Sequence, residues 1–202
     1  MHRKSLIAIL LLAASVPLFS QALESATEGG PRQWTIGTGL SYYFPSYGPG
    51  SIAGETLWID NSLERVPQFL SGLSIDFEAR NLGFARSSNQ PVLRVDTAGG
   101  GAMYKWNHFS KVIPYGKVTE GLGNIDYIAG TGRAHQGRGV TGAGGGCDIR
   151  AFGSVWVRAD YEYEYWPNFW IKTVGSPTGA ALNPQGLTIG AIYHFGHDRR
   201  VY

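Results

Sequence analysis

The chain has 202 residues, with 17 Lys and Arg against 15 Asp and Glu, 29 Gly, 10 Pro, 26 aromatic residues (6 Trp, 11 Tyr, 9 Phe) and one Cys. A single cysteine excludes an internal disulfide framework. The near-even charge without Lys/Arg clusters speaks against a nucleic-acid partner. The abundance of Gly, Pro and aromatics disfavours helices and suits strands and turns.

The chain opens MHRKSLIAILLLAASVPLFSQA. Arg3 and Lys4 precede an apolar run from Leu6 to Phe19, and Ser20-Gln21-Ala22 fits a small-x-small cleavage site, so residues 1–22 read as a secretory signal peptide. The run is short for a membrane-spanning helix, and Pro17 interrupts it. Arg3 and Lys4 leave with this segment, and residues 23–202 are then formally neutral. Cys147 does not follow the cleavage site, so no lipid anchor is expected there. After residue 22 no apolar run approaches the ~18 residues that a spanning helix needs.

Alternating segments separated by turn residues then follow one another. In the first, Trp34, Ile36, Thr38, Leu40, Tyr42 and Phe44 share a face opposite Gly37, Gly39, Ser41 and Tyr43. The second runs from about Ser51 to Leu63 with Leu57 and Ile59. The third, Leu70 to Phe84, sets Leu73, Ile75, Phe77 and Ala79 against Ser74, Asp76, Glu78 and Arg80. The fourth, Pro91 to Trp106, sets Leu93, Val95, Thr97 and Met103 against Arg94, Asp96, Ala98 and Tyr104. The fifth, Lys111 to Gly123, has mixed faces, with Lys117 and Glu120 of opposite parity. The sixth, Arg138 to Arg150, is rich in glycine.

The seventh segment, VWVRADYEYEYW (155–166), puts Val155, Val157, Ala159, Tyr161, Tyr163 and Tyr165 opposite Trp156, Arg158, Asp160, Glu162, Glu164 and Trp166. The eighth, Pro184 to Phe195, aligns Leu187, Ile189, Ala191, Tyr193 and Phe195. Short links (64–68, 107–109, 151–153) alternate with links at 45–50, 86–90, 124–137 and 167–183, of which the last two are long. Even strand number, long alternating strands, and short turns opposite longer loops predict an all-β, eight-stranded antiparallel up-and-down transmembrane β-barrel. In it the apolar faces meet lipid, and closure pairs every backbone group. Eight strands leave a lumen that side chains fill. Asp76, Glu78, Arg80, Arg94, Asp96, Arg158, Asp160, Glu162 and Glu164 are expected to pair across it, because buried charges persist only when paired.

The segment from Gly142 to Phe195, with GAGGGCDIRAFGSVWVRADYEYEY and the closing NPQGLTIGAIYHF, resembles the small eight-stranded outer-membrane β-barrel family of Gram-negative bacteria, which includes the OmpA membrane domain. VIPYGKVTEGLG (112–123) is similar to a mid-barrel strand of that family. The resemblance implies an outer-membrane domain over 23–195 and a short periplasmic tail at 196–202. It also implies that Gly190, Tyr193 and Phe195 form the β-signal read by the outer-membrane assembly machinery. The family usually stops at the terminal aromatic, whereas GHDRRVY follows Phe195 here. The expected partners are outer-membrane lipid and that machinery, with a monomeric chain, no nucleic acid and no cofactor. The expected role is structural, envelope-anchoring or surface contact.

Other motifs carry less. Gly137 to Gly142 matches GxGxxG, which binds nucleotide only between a strand and a helix. His194, His197 and Cys147 lack metal-ligand spacing, so no metal is expected. His108, Ser110 and Glu120 suggest a lipid A deacylase-like hydrolase, but the His-x-Ser falls at a periplasmic turn, and no catalytic activity is expected. A soluble lipocalin-like carrier would invert the arrangement, with an apolar interior and charged exterior.

Overall fold

The computed structural model describes residues 34–195 except 48, 64–65, 87–90, 108–110 and 171–178. The proposed signal peptide and the tail at 196–202 lie outside the described residues. The strands are β1 Trp34–Phe44, β2 Ile52–Ser62, β3 Leu73–Arg86, β4 Val92–Lys105, β5 Val112–Ala129, β6 Gly132–Phe152, β7 Val155–Trp170, β8 Gly179–Leu182 and β9 Gln185–Phe195, with one 3-10 turn at Gln68–Leu70. Among the described residues no helix is long and apolar enough to cross a membrane.

Each strand pairs antiparallel with its neighbour. β1 also pairs with β9, and β7 with both β6 and β9, so the sheet closes. The short β8 pairs with the end of β7, Trp166 opposite Leu182, and continues the ladder in which Tyr163 faces Gln185. β8 and β9 are thus one stave interrupted at Asn183-Pro184, and the barrel has eight staves.

The register gives the tilt. From Tyr165, ladder partners lead through Thr141, Glu120, Gly100, Phe77, Ile59, Ile36 and Tyr193 to Val155, ten residues below the start on the same strand. A stagger of that size around eight strands inclines them by roughly 35–45° to the axis.

This closed path lies on the outside. Outward positions are apolar along most staves: Leu40, Phe77, Val118, Leu187 and Ile189 are between 52% and 70% exposed. Aromatics collect toward both ends. Tyr193 and Phe195 make an edge-to-face pair near the terminal end, as do Tyr42 and Phe44 at the other. The eleven residues from Trp34 to Phe44 at this tilt match an apolar band about 25 Å tall between aromatic girdles.

Two segments differ from the sequence reading. The connection expected as a loop at 124–137 is instead a hairpin, in which β5 runs to Ala129, β6 starts at Gly132, and Gly130 turns the chain at φ 59°. Alternation simply continues past Asn124, and Ile125 and Tyr127 point inward at 1% and 2% exposure. That inward burial favours strand over loop. The second long link is shortened, because β7 extends to Trp170 and β8 begins at Gly179.

Candidate functional site: a charged lattice in the lumen

The lumen is layered. At the end away from the termini, Tyr43, Ile52, Leu82, Ile125 and Trp166 belong to a buried apolar cluster. Toward the terminal end, Trp58, Trp156 and Ile192 form a smaller one. Charged side chains fill the space between.

Arg158 organises the terminal-side set and is fully buried. Its Nη1 and Nη2 donate to the two oxygens of Asp60 at 3.2 and 2.6 Å, while Nε and Nη2 donate to Asp148 at 2.7 and 2.9 Å. The planar guanidinium thus serves two carboxylates from opposite sides of the barrel, a geometry that a lysine could not supply. Lys105 Nζ adds a contact to Asp60 at 2.9 Å. The Arg158 guanidinium also lies 5.0 Å from the Tyr115 ring centroid.

Arg80 organises the second set. It donates to Glu164 at 2.5 Å, to Glu162 at 3.1 Å, to Glu78, and through Nε to Thr56 at 3.2 Å, with its guanidinium 4.2 Å from the Tyr43 ring centre. Lys117 Nζ bridges Glu78, Asp160 and Glu162 at 2.5, 2.9 and 2.8 Å. Those three acids offer oxygens within 4.8 Å of one another, as a metal site would. The Lys117 ammonium, however, already contacts each of them. Tyr115 donates to Asp160 at 2.6 Å and Trp166 to Glu164 at 2.7 Å.

The glycines of β6 make this possible. A Cβ on Gly146 would lie 2.7 Å from the Tyr115 hydroxyl, and one on Gly142 would lie 2.6 Å from Glu162 Oε1. Leaving these inward positions bare lets longer side chains from β5 and β7 fill the lumen.

Of the nine residues expected in the lumen, Asp76, Glu78, Arg80, Arg158, Asp160, Glu162 and Glu164 point inward, and all except Asp76 make ion pairs or charge-assisted bonds there. Arg94 and Asp96 do not. They pair with each other at 2.7 Å with side chains 55% and 34% exposed, and Asp96 also accepts from Asn81. The faces of β4 are the reverse of the expectation, because its ladder partners decide them: Val95 faces Leu82, and Met103 faces Lys117, both inside. The interior is itself apolar at this level, so hydrophobicity could not identify the outer face, and an irregular register at Val92/Arg94 displaces the strand end further.

Four lattice members were missed: Asp60, Lys105, Lys117 and Asp148. None of them belongs to a run of consecutive charges on one face like those of β3 and β7. The available signal was parity, since Asp60 alternates with Ile59 and Asp148 with Cys147.

The remaining candidates separate. Gly190 faces Gly39 in the ladder, whereas Tyr193 and Phe195 are exposed on the outer surface. His194 lies inside, 3.3 Å from the Thr35 hydroxyl. Cys147 is on the outward row of β6, so the wall stands between them. His197, His108 and Ser110 lie outside the described residues. Glu120 faces outward and accepts from Thr141 at 2.8 Å. Gly137 to Gly142 lies wholly within β6, without the helix that a nucleotide loop needs. The charged interior and apolar exterior are the inverse of a lipocalin-like carrier.

No protein-family model matches the chain, and no curated protein does. Solved structures do. Neisserial surface protein A superposes with a TM-score of 0.59 at 14% identity, over 81% of this chain and 97% of that one. The outer membrane protein OprG from Pseudomonas aeruginosa gives 0.55 at 11% identity, over 84% and 99%. Ail, the attachment invasion locus protein of Yersinia pestis, gives 0.50 at 14% identity, over 82% and 99%. The chain therefore has the fold of the small eight-stranded outer-membrane barrels.

Proposed function

We propose that this protein is exported, inserts into the outer membrane as a monomer, and has a structural, envelope-anchoring or surface-contact role rather than a catalytic or conducting one. The observation that carries this reading is the filled lumen, in which two ion-pair sets lie between apolar layers. A conducting barrel needs a continuous wet path, and a carrier needs an apolar cavity. The outward face, apolar between aromatic girdles, supports contact with lipid. The β5–β6 hairpin, reaching past the barrel rim at the end away from the termini, is the surface offered for contact.

On this reading Gly190, Tyr193 and Phe195 guide assembly by the outer-membrane machinery. The test joins three measurements. The mature protein should fractionate with outer membranes and migrate differently on gels before and after heating, and in planar bilayers it should give no current steps. Recovery as a soluble monomer without detergent would refute membrane insertion, and steady current steps would refute the sealed lumen. Release of acyl chains from lipid A by the purified protein, lost in Ser110→Ala, would overturn the non-catalytic role.

A further inference from the structure

Asp60 and Asp76 are ladder partners on β2 and β3, both inside the barrel, at 1% and 0% exposure. The two side chains therefore enter the lumen side by side across the β2–β3 seam. Asp60 also binds two N–H groups of Arg158 and the Lys105 ammonium. Neither oxygen of Asp76 receives a donor from the described residues. Two carboxylates buried side by side repel strongly, and one shared proton would replace that repulsion by a hydrogen bond.

The charge balance of the lumen points the same way. Among the buried side chains of the charged layers, seven carboxyls (Asp60, Asp76, Glu78, Asp148, Asp160, Glu162, Glu164) lie with four cations (Arg80, Lys105, Lys117, Arg158). Every one of these acids except Asp76 has a cation or a hydrogen-bond donor. An uncompensated charge in a low-dielectric interior is removed by protonation more readily than it is tolerated.

We propose that Asp76 and Asp60 form an acid–carboxylate dyad in which Asp76 carries the proton at neutral pH and donates it to Asp60. The groups around the pair assign the proton. Arg158 from β7 and Lys105 from β4 hold Asp60 as the anion. Lys117 from β5 is engaged by Glu78, Asp160 and Glu162. Asp148 from β6, Asp160 from β7 and Glu78 from the same strand add negative charge that opposes a second anion. His194 from β9 faces this layer and bonds to Thr35 of β1. The lumen thereby contains a proton-binding site, and loss of the proton places two anions side by side across the β2–β3 seam.

The test uses the full mature chain refolded in phosphatidylcholine vesicles. Infrared spectra at neutral pH should contain a protonated-carboxyl C=O band that shifts in heavy water. The band should vanish in Asp76→Asn and persist in Glu164→Gln. Asp76→Asn, which keeps a donor toward Asp60 without the charge, should melt at or above the wild-type temperature, while Asp60→Asn should melt well below it. Absence of the band in the wild-type protein overturns the proposal, and so does equal destabilisation by the two Asn variants. If the band is absent and calcium or sodium raises the melting temperature in wild type but not in Asp76→Asn, a metal cation is the neutralising partner and the dyad is refuted.

Discussion

Arg158 and Asp60 stand 98 residues apart in the chain and meet through two hydrogen bonds, at 3.2 and 2.6 Å, with neither side chain more than 1% exposed. Removing one partner of such a pair strands the other in a medium that cannot solvate it. Arg158→Ala leaves both Asp60 and Asp148 without their main donor, so it should cost about 3–5 kcal/mol of stability, read as a shift in urea unfolding from lipid vesicles. Arg80→Ala should behave similarly, since three glutamates lose their common donor. Unchanged melting of both variants would refute a structural role for the lattice.

The Arg94–Asp96 pair provides the contrast. Its side chains are 55% and 34% exposed and open to solvation, so Arg94→Ala should change stability by less than about 1 kcal/mol. Parallel unfolding curves for Arg94→Ala and Arg158→Ala would separate a surface ion pair from a lumen one. A large loss at Arg94 would put it back inside the network.

Glycine substitutions test the packing of β6. At Gly146 an added methyl would meet the Tyr115 hydroxyl at 2.7 Å and the backbone of β7, whereas at Gly116 the nearest atom is Trp106 Cη2 at 3.6 Å. Gly116→Ala should refold to the wild-type fraction of heat-modifiable protein, and Gly146→Ala should yield clearly less. Equal yields would mean that the lumen has room that the packing denies.

Ile189, at the middle of β9 and 61% exposed, lies opposite Leu40 and Ala159 on the outward row. If that row meets hydrocarbon, Ile189→Arg should cost about 2–4 kcal/mol in a bilayer. The same change on a water-facing surface would be nearly silent, so a neutral result in vesicle unfolding would place Ile189 outside the lipid band.

Phe195 offers a test in cells. Phe195→Ala should lower the amount assembled into the outer membrane while leaving spontaneous refolding into detergent unchanged. A comparable loss in both settings would indicate a role in barrel stability, not in recognition by the assembly machinery.

What was legible in the sequence follows from geometry that is local. Period-two alternation fixes which side chains of one strand share a face, so the rows of β1, β3, β7 and β9 could be read directly, and Asp76, Glu78, Arg80 and the β7 charges assigned to one side. The aromatic ends and turn residues then limited the strands and their number. The β5–β6 hairpin resembles a loop in sequence because its inward Ile125 and Tyr127 acquire a reason to be strand only when a buried apolar layer exists to receive them.

Tertiary structure decided the rest. Which face of β4 is inside depends on Leu82 and Lys117 beside it, not on β4 itself. That Asp148 lies beside Arg158, and Asp76 beside Asp60, depends on the register of neighbouring strands, and that Arg158 also reaches Asp60 depends on closure with a ten-residue stagger, which brings β7 and β2 to one height. Alternation sorts side chains into inward and outward, but only the register between strands determines which charges meet, because ion pairing acts across a few ångströms of space and not along the chain.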